Sequence, residues 1–298
     1  MTWLKAVNNS YYWRIEHKTP QEDVLMKILF RFTVLMALLA LTSPTQATYI
    51  LVLGDDNSES FVSPYLTDQG HTVTSETTYY DWDGAIPALT EVIIYLHGYE
   101  YGYELGQDSN PINANQSMLD FVANGGGLIF TEWYAYSEQT EPVSAMMPVT
   151  YNGSYYYEAA WNVANGYENH PLITNLLSTS FTVGDGSDDT YSDVIQNAGT
   201  VVVMEDDSGI PLLSYNTLHG GNVIHINDGM AYYDEISDEI LSVINSSVLF
   251  AATNTIPVKE PPAMSVFALA LLAFISRKIL YANKTKHVIG DNKNTEFL

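Results

Sequence analysis

Short runs of consecutive apolar residues recur along the middle of the chain. They are Tyr49–Leu53, Val92–Leu96, Leu128–Phe130, Thr200–Met204 and Val223–Ile226. Continuous apolar runs are typical of strands that are buried on both faces of a parallel sheet. His71–Thr77 instead alternates and is rich in Thr and Val, which predicts another strand. His225 lies among apolar neighbours in its run, so we expect a core histidine whose ring is hydrogen-bonded.

Amphipathic segments separate these runs and predict helices. They cover about Ser58–Gln69, Gln116–Ala123 and Ile236–Ala252. Strands that alternate with helices indicate an α/β domain with a flavodoxin-like, doubly wound and mostly parallel sheet. Residues 134–198 interrupt the alternation and are rich in Tyr, Asn, Gly and Ser. We predict that they form an insertion with a short helix and irregular loops.

The segment that begins at Met26 has the parts of a secretory signal peptide. Lys27 and Arg31 make its start positive, a short apolar run follows, and small residues lead up to Ala47. We therefore expect a signal peptidase to cleave after Ala47 during export. An uncleaved N-terminal anchor is the alternative. Translation starts at either Met1 or Met26.

The other end carries the parts of a C-terminal sorting signal. Val258–Pro261 reads Val-Lys-Glu-Pro, Ala263–Ser276 is apolar, and the basic pair Arg277–Lys278 follows. Residues 256–278 thus resemble the PEP-CTERM signal of Gram-negative bacteria, with Lys259 in place of the first proline of its motif. The resemblance implies an exosortase as partner, a C-terminal hydrophobic helix that holds the chain at the membrane at least transiently, and display at the cell surface or outside the cell. A plain membrane anchor is the alternative.

Four segments follow from these patterns. The predicted segments are the N-terminal extension with its signal peptide (1–47), the α/β domain (48–255), the sorting signal or membrane helix (256–278) and a polar tail (279–298).

Charge is distributed unevenly along the chain. All 11 Lys and Arg residues lie outside the stretch from Thr48 to Val258, whereas 29 of the 35 acids lie inside it, so its formal charge is −29. This acidity argues against nucleic acid as a partner, because phosphate contacts need Lys and Arg. It is typical of an exported protein in a salty medium, with divalent cations at carboxylate clusters as the alternative.

Because the chain has no cysteine, disulfides, thiolate metal sites and a cysteine nucleophile are excluded.

The order of strands, helices and glycine turns in Tyr49–Phe130 and Thr200–Ala252 resembles the class I glutamine-amidotransferase-like fold, above all its trehalose-utilisation-type branch. The nucleophilic cysteine of that family would fall at Thr131–Trp133 and its catalytic histidine at Asn227–Asp228. Neither residue is present here. The resemblance therefore implies the fold without glutamine amidotransferase activity.

Polar residues follow several predicted strands, at the edge where ligands collect in such sheets. Asp55 and Asp56 follow the first strand, His97 the second apolar run, and Glu132 and Asp228 follow later runs. If Glu132, Asp228 and His97 converge, they can act as acid and base or hold a hard cation. The alternative is that these residues are solvated loop ends and helix caps.

A cluster of acids inside the insertion has the oxygen density of a calcium loop. It consists of Asp185, Asp188 and Asp189, with Asp193 close behind. The cluster lacks the glycine and glutamate of an EF-hand, so a solvated turn is the alternative. We expect no cofactor apart from Ca²⁺ at this cluster.

Tyrosine is unusually abundant, with 22 residues in the chain. Candidate ligand contacts after the strands are Tyr99, Tyr101, Trp133 and Tyr134, besides Asp55 and Asp56, and a further cluster is Tyr155–Tyr157. Their rings suit stacking on sugars or protein contacts, unless they only pack on one another. Because PEP-CTERM proteins are associated with extracellular polysaccharide, we expect a surface-associated, non-catalytic binding or matrix module that engages polysaccharide or protein. A metal-dependent or hydrolase-like enzyme and a purely structural surface protein are the alternatives.

Overall fold

The computed structural model describes residues 47–55, 58–75, 78–97, 102–131, 134–135, 141–183, 190–229 and 236–253. The predicted signal peptide up to Gln46, the sorting signal and the polar tail lie outside the described residues. From Thr48 onward, the described residues belong to one compact unit.

The described strands form one large and one small sheet. In chain order they are β1 (Tyr49–Leu53), β2 (Thr72–Thr74), β3 (Val92–Tyr95), β4 (Gly127–Thr131), β5 (Val149–Tyr156), β6 (Ala159–Val163), β7 (Ser180–Val183), β8 (Tyr191–Gln196), β9 (Val201–Glu205), β10 (Pro211–Leu218) and β11 (Gly221–Ile226). The large sheet has nine strands in the order β2-β1-β3-β4-β11-β10-β9-β6-β7, and β5 pairs with β8 in the small sheet.

The first five strands of the large sheet are mutually parallel and have the order of a flavodoxin-like fold. Every residue of β3 and β4 is buried, as their continuous apolar runs predicted. The predicted α/β class and its flavodoxin-like sheet are confirmed. The last four strands of the sheet extend it by antiparallel pairing.

Helices cover both faces of the sheet, which is why its central strands are apolar on both sides. Helices α1 (Ser58–Asp68) and α3 (Asp238–Ala252) contribute to the core on one face, and α2 (Pro111–Ala123) contributes to the core on the other. Ser237 caps α3 by accepting a hydrogen bond from the backbone N–H of Ile240 at 3.2 Å. Within the described residues, no helix is both long and apolar enough to cross a membrane.

Helix α2 begins earlier than the sequence predicted. Its cap is Asn110, whose side-chain oxygen accepts a hydrogen bond from the backbone N–H of Asn113 at 3.2 Å, and Pro111 occupies the first turn. Proline suits that position because its missing N–H would have no partner within the helix. The first turn was missed because its apolar residue Ile112 is 84% exposed and does not belong to the apolar face of the helix.

The prediction of irregular loops for residues 134–198 is wrong over most of its length. A short 3₁₀ helix (Pro142–Met146) is followed by β5, β6, β7 and β8. Strands β6 and β7 extend the large sheet through antiparallel pairing of β6 with β9. The prediction failed because these strands are partly solvent-exposed, most of all β5, and polar residues interrupt their apolar positions, so that they form no long apolar runs.

Candidate functional site

The carboxyl ends of β1 and β3 flank the point where the strand order of the parallel sheet reverses, which is where ligands bind in such folds. Asp55 follows β1 at this point and is almost completely buried. Its Oδ1 accepts a hydrogen bond from the backbone N–H of Ser58, the first residue of α1, at 2.9 Å. The ligand contact at Asp55 stays a prediction, and the contact that the structure shows for this carboxylate is with the start of α1.

His97 follows β3 and is fully buried. Its imidazole lies among the rings of Tyr79, Tyr95 and Tyr134, at centroid distances of 4.5, 5.3 and 5.8 Å. The backbone of His97 exchanges hydrogen bonds with the hydroxyl of Thr131 at the end of β4. The aromatic shell keeps water from the ring, so the surroundings of His97 are those of a packed core.

Asn227 and Asp228 follow β11 and are also buried. The Asn227 carboxamide accepts a hydrogen bond from the backbone N–H of Ser192 at 3.0 Å and donates to the carbonyls of Ser192 and Pro211 at 2.9 and 2.8 Å. It thus ties β8 to the amino end of β10 and the carboxyl end of β11. The backbone N–H of Asp228 donates to the carbonyl of Ile226.

Glu141 is a buried acid that the sequence did not reveal. One of its carboxylate oxygens accepts a hydrogen bond from the backbone N–H of Leu105 at 2.6 Å, and the other accepts one from the hydroxyl of Tyr134 at 2.9 Å. Burial raises the pKa of Glu141 to about 7, helped by the charge of Glu104 and opposed by both hydrogen bonds. No local pattern marks Glu141, because Leu105 and Tyr134 reach it only through the tertiary fold.

Tyr134 was predicted to contact a ligand, which stays a prediction, and the structure shows its side chain in the core. Its ring is fully buried, stacks on Phe130 at a centroid distance of 4.6 Å and contacts His97. Because its hydroxyl is bonded to Glu141, the side chain joins β4 to the start of the insertion. Its contribution is to packing and to the hydrogen bonding of a buried acid.

His225 lies in the core, as its pattern predicted, but the expected hydrogen bonds are missing. Neither ring nitrogen has a hydrogen-bond partner among the described residues, and the same holds for the hydroxyl of Ser214, which pairs with His225 across β10 and β11. Burial lowers the pKa of His225 to about 3. The imidazole is therefore neutral at physiological pH.

Several predicted site residues lie outside the described residues. They are Asp56, Glu132, Trp133, Tyr99, Tyr101, Asp185, Asp188 and Asp189. Convergence of Glu132 with Asp228 and His97 therefore stays a prediction, as does calcium binding. Asp193 is described and half-buried, and it accepts a hydrogen bond from Asn152 at 3.1 Å. Among the described residues, no three His, Asp or Glu side chains are grouped so that they could hold a metal ion.

Three consecutive tyrosines, Tyr155, Tyr156 and Tyr157, are the exposed aromatic feature of the insertion and are called the tyrosine ribbon below. Their side chains are 46%, 41% and 55% exposed. The rings of Tyr155 and Tyr157 meet edge to face at 5.6 Å, and Tyr156 lies 5.1 Å from the ring of Tyr191. Since Tyr191 is buried and bonded to Asp206 through its hydroxyl, it gives the ribbon a fixed base.

The sequence of the chain matches no protein-family model and no curated protein. Its fold is similar to solved structures. A cytoplasmic protein from Salmonella typhimurium is 14% identical with a TM-score of 0.53, over 69% of this chain and 97% of that one. A ThuA-like protein from Parabacteroides merdae is 13% identical with a TM-score of 0.52, over 72% and 94%. A second cytoplasmic protein, from Salmonella typhimurium LT2, is 15% identical with a TM-score of 0.51, over 70% and 98%.

These similarities concern the fold, because the identities are too low to carry an activity. The ThuA-like neighbour agrees with the trehalose-utilisation-type resemblance that the sequence indicated.

Proposed function

We propose that this protein is an exported, surface-associated and non-catalytic binding module that engages polysaccharide through its tyrosine ribbon. The observation that carries the proposal is the exposure of three consecutive tyrosine rings at the end of β5. Tyrosine combines a rigid apolar ring with a polar hydroxyl, so it provides contact area at low cost in conformational entropy. Nearby Asn152 and Asp193 supply amide and carboxylate groups for sugar hydroxyls.

The non-catalytic part of the proposal is supported by what the buried strand-end residues do. Asp55 holds the start of α1, Asn227 joins three strands, and His97 is enclosed by tyrosine rings. In each case the side chain has a structural role and is held in place, so it has little freedom to reorient toward a substrate. We also infer that the fold lacks the amidotransferase machinery, since the chain has no cysteine to act as nucleophile.

Export and display are proposed from the two terminal sequence signals. Secretion would begin the mature chain at Thr48, and the segment with Glu260–Pro261 would deliver it to an exosortase-type enzyme. N-terminal sequencing of the protein from the surface fraction of its native bacterium would test this, with Thr48 as the expected first residue. Recovery of an intact N-terminus in the cytoplasmic fraction would contradict export.

The binding function is tested by affinity electrophoresis of the full chain through gels that contain neutral polysaccharides. The double variant Tyr155→Ala/Tyr157→Ala should bind about tenfold more weakly, since about 1–2 kcal/mol of stacking is removed. Tyr49→Ala is the matched control, because Tyr49 is similarly exposed, at 40%, at the start of β1. An unchanged mobility of the double variant, or an equal loss in Tyr49→Ala, would contradict a role for the ribbon.

A further inference from the structure

A cleft of about 460 Å³ opens where β1 and β2 meet the loop that follows Tyr80. Its apolar lining comes from Leu51 of β1 and from Trp82, Ile86 and Pro87. Strand β2 has only three residues, so it pairs with only part of β1. The volume is in the range of pockets that bury a small organic ligand.

The loop that forms one wall of this cleft is held by hydrogen bonds. The indole N–H of Trp82 donates to the carbonyl of Ala85 at 2.8 Å, and the backbone N–H of Ala85 donates to Oδ1 of Asp83 at 2.9 Å. Asn113 of α2 donates to the carbonyl of Asp83 at 2.5 Å. Gly84 has a φ of +94°, and a Cβ there would lie 2.7 Å from the Asn113 side chain. The wall is therefore preformed and docked against α2.

The polar lining of the cleft comprises acids and hydroxyls. Asp81 and Asp83 are exposed, and Thr74 and Ser109 complete the lining. Each carboxylate uses one oxygen within the loop, Asp81 with Thr78 and Asp83 with Ala85, and its other oxygen lies outside the hydrogen bonds of the described residues. No Lys or Arg occurs between Thr48 and Val258, so the charged groups that line the cleft are all negative.

The apolar lining and the negative charge of the cleft together favour one class of ligand. Anionic sugars are repelled by the carboxylates of Asp81 and Asp83 and by the −29 charge of the segment, which carries 29 acids and no Lys or Arg. A primary ammonium group can donate charge-assisted hydrogen bonds to carboxylate oxygens, and Asp81 and Asp83 each have one oxygen outside the hydrogen bonds of the described residues. The apolar lining suits the C–H face of a sugar ring. We propose that the cleft binds an amino sugar with an unacetylated, positively charged amine.

The test uses three disaccharides that share one skeleton and differ at C2. They are the β-1,4-linked dimers of glucosamine, N-acetylglucosamine and glucose. Binding to the full chain is measured by titration calorimetry at about 0.15 M ionic strength, where the Debye length of about 8 Å limits non-specific attraction. We expect the glucosamine dimer to bind at least tenfold more tightly than the other two.

Variants assign this preference to the cleft. Asp81→Asn/Asp83→Asn keeps the shape of both side chains and should reduce the affinity for the glucosamine dimer to that for the glucose dimer. Asp68→Asn/Asp120→Asn removes the same charge elsewhere and should keep the preference. Equal affinity for all three dimers, or an equal loss in both double variants, would overturn the proposal.

The cleft shares no residue with the tyrosine ribbon, so the two proposals fail separately. If the glucosamine preference is absent while Tyr155→Ala/Tyr157→Ala still weakens polysaccharide binding, the proposed function stands and the cleft site does not.

Discussion

Glu141 shows how burial outweighs hydrogen bonding at a single residue. Its carboxylate accepts two hydrogen bonds, each of which favours the charged form, yet its pKa is raised to about 7 because the group is removed from water. His225 shows the same effect for a base, since its buried ring has a pKa of about 3. Two buried groups therefore couple stability to pH in opposite directions.

Glu141→Gln should change how stability depends on pH. In the folded protein Glu141 binds a proton between pH 4.5 and about 7, where the unfolded chain has released it. Its contribution to the free energy of unfolding is thus fully present below pH 4.5 and is lost as pH rises through 7, a change of up to about 3 kcal/mol. The free energy of unfolding of the variant, relative to that of the wild type, should therefore be higher at pH 8 than at pH 5. Urea unfolding at the two pH values measures this difference.

Glu158→Gln is the matched control for this prediction, because it removes an exposed carboxylate and leaves the same net charge. If both variants changed the pH dependence equally, the effect would belong to net charge and not to the buried position of Glu141.

His225→Leu should raise the free energy of unfolding by about 1–3 kcal/mol at pH 7, because it removes buried ring nitrogens that have no partner among the described residues. The gain should grow as pH falls below 6.5, where the unfolded chain binds a proton that the folded ring does not accept until about pH 3. Urea unfolding at pH 7 and pH 5 measures both effects. Ser214→Ala removes the neighbouring hydroxyl, which also has no partner in the described part of the chain, and should show no such pH dependence. A destabilised His225→Leu would refute the prediction.

At the scale of elements, the sequence shows the central parallel strands of the large sheet more clearly than it shows the strands of the insertion. Strands β3 and β4 are buried throughout, and their apolar runs predicted them. Strands β5 and β7 are mostly exposed or half-buried, so their sequences carry the polar residues that suggested loops. Helix α2 was predicted from its apolar face, but its first turn depends on Asn110 and Pro111.

Asn110→Ala should lower the free energy of unfolding by about 1 kcal/mol, since the backbone N–H of Asn113 loses its side-chain acceptor. Thermal unfolding followed by circular dichroism measures the change. Asn110→Ser keeps a capping oxygen and should recover most of the loss. Equal destabilisation by both substitutions would show that the cap does not stabilise α2.

At the scale of the whole molecule, charge is the dominant feature. The stretch from Thr48 to Val258 contains 29 acids and no Lys or Arg, so it has no Lys or Arg with which to form an internal ion pair. Mutual repulsion of this kind lowers the stability of the compact state and weakens when salt screens it.

The melting temperature should therefore rise as NaCl increases from about 0.01 M to about 1 M, over which the Debye length falls from about 30 Å to about 3 Å. Differential scanning calorimetry measures the rise. A variant in which the acids Asp68, Asp108, Asp120 and Glu158 are replaced by amides should depend less on salt. An identical salt response in both proteins would mean that repulsion between carboxylates is not the cause.

The sequence by itself determined the class of the fold. A strand that is covered on both faces must be apolar at every position, and a helix that lies on a sheet must be apolar every three to four residues. Both patterns are local, so the positions of β1, β3, β4 and β11 and the presence of α1, α2 and α3 could be predicted. The lack of cysteine and the confinement of basic residues to the two ends are also properties of the sequence alone.

Only the tertiary structure decided what the strand-end residues do. Asn227 meets Ser192, which is 35 positions away, and Glu141 meets Leu105, which is 36 positions away. The sequence placed His97 at the right end of β3 but gave no sign of the three tyrosine rings around it. Such contacts depend on how distant segments pack, and no local pattern of apolar and polar residues records which side chains will be enclosed together.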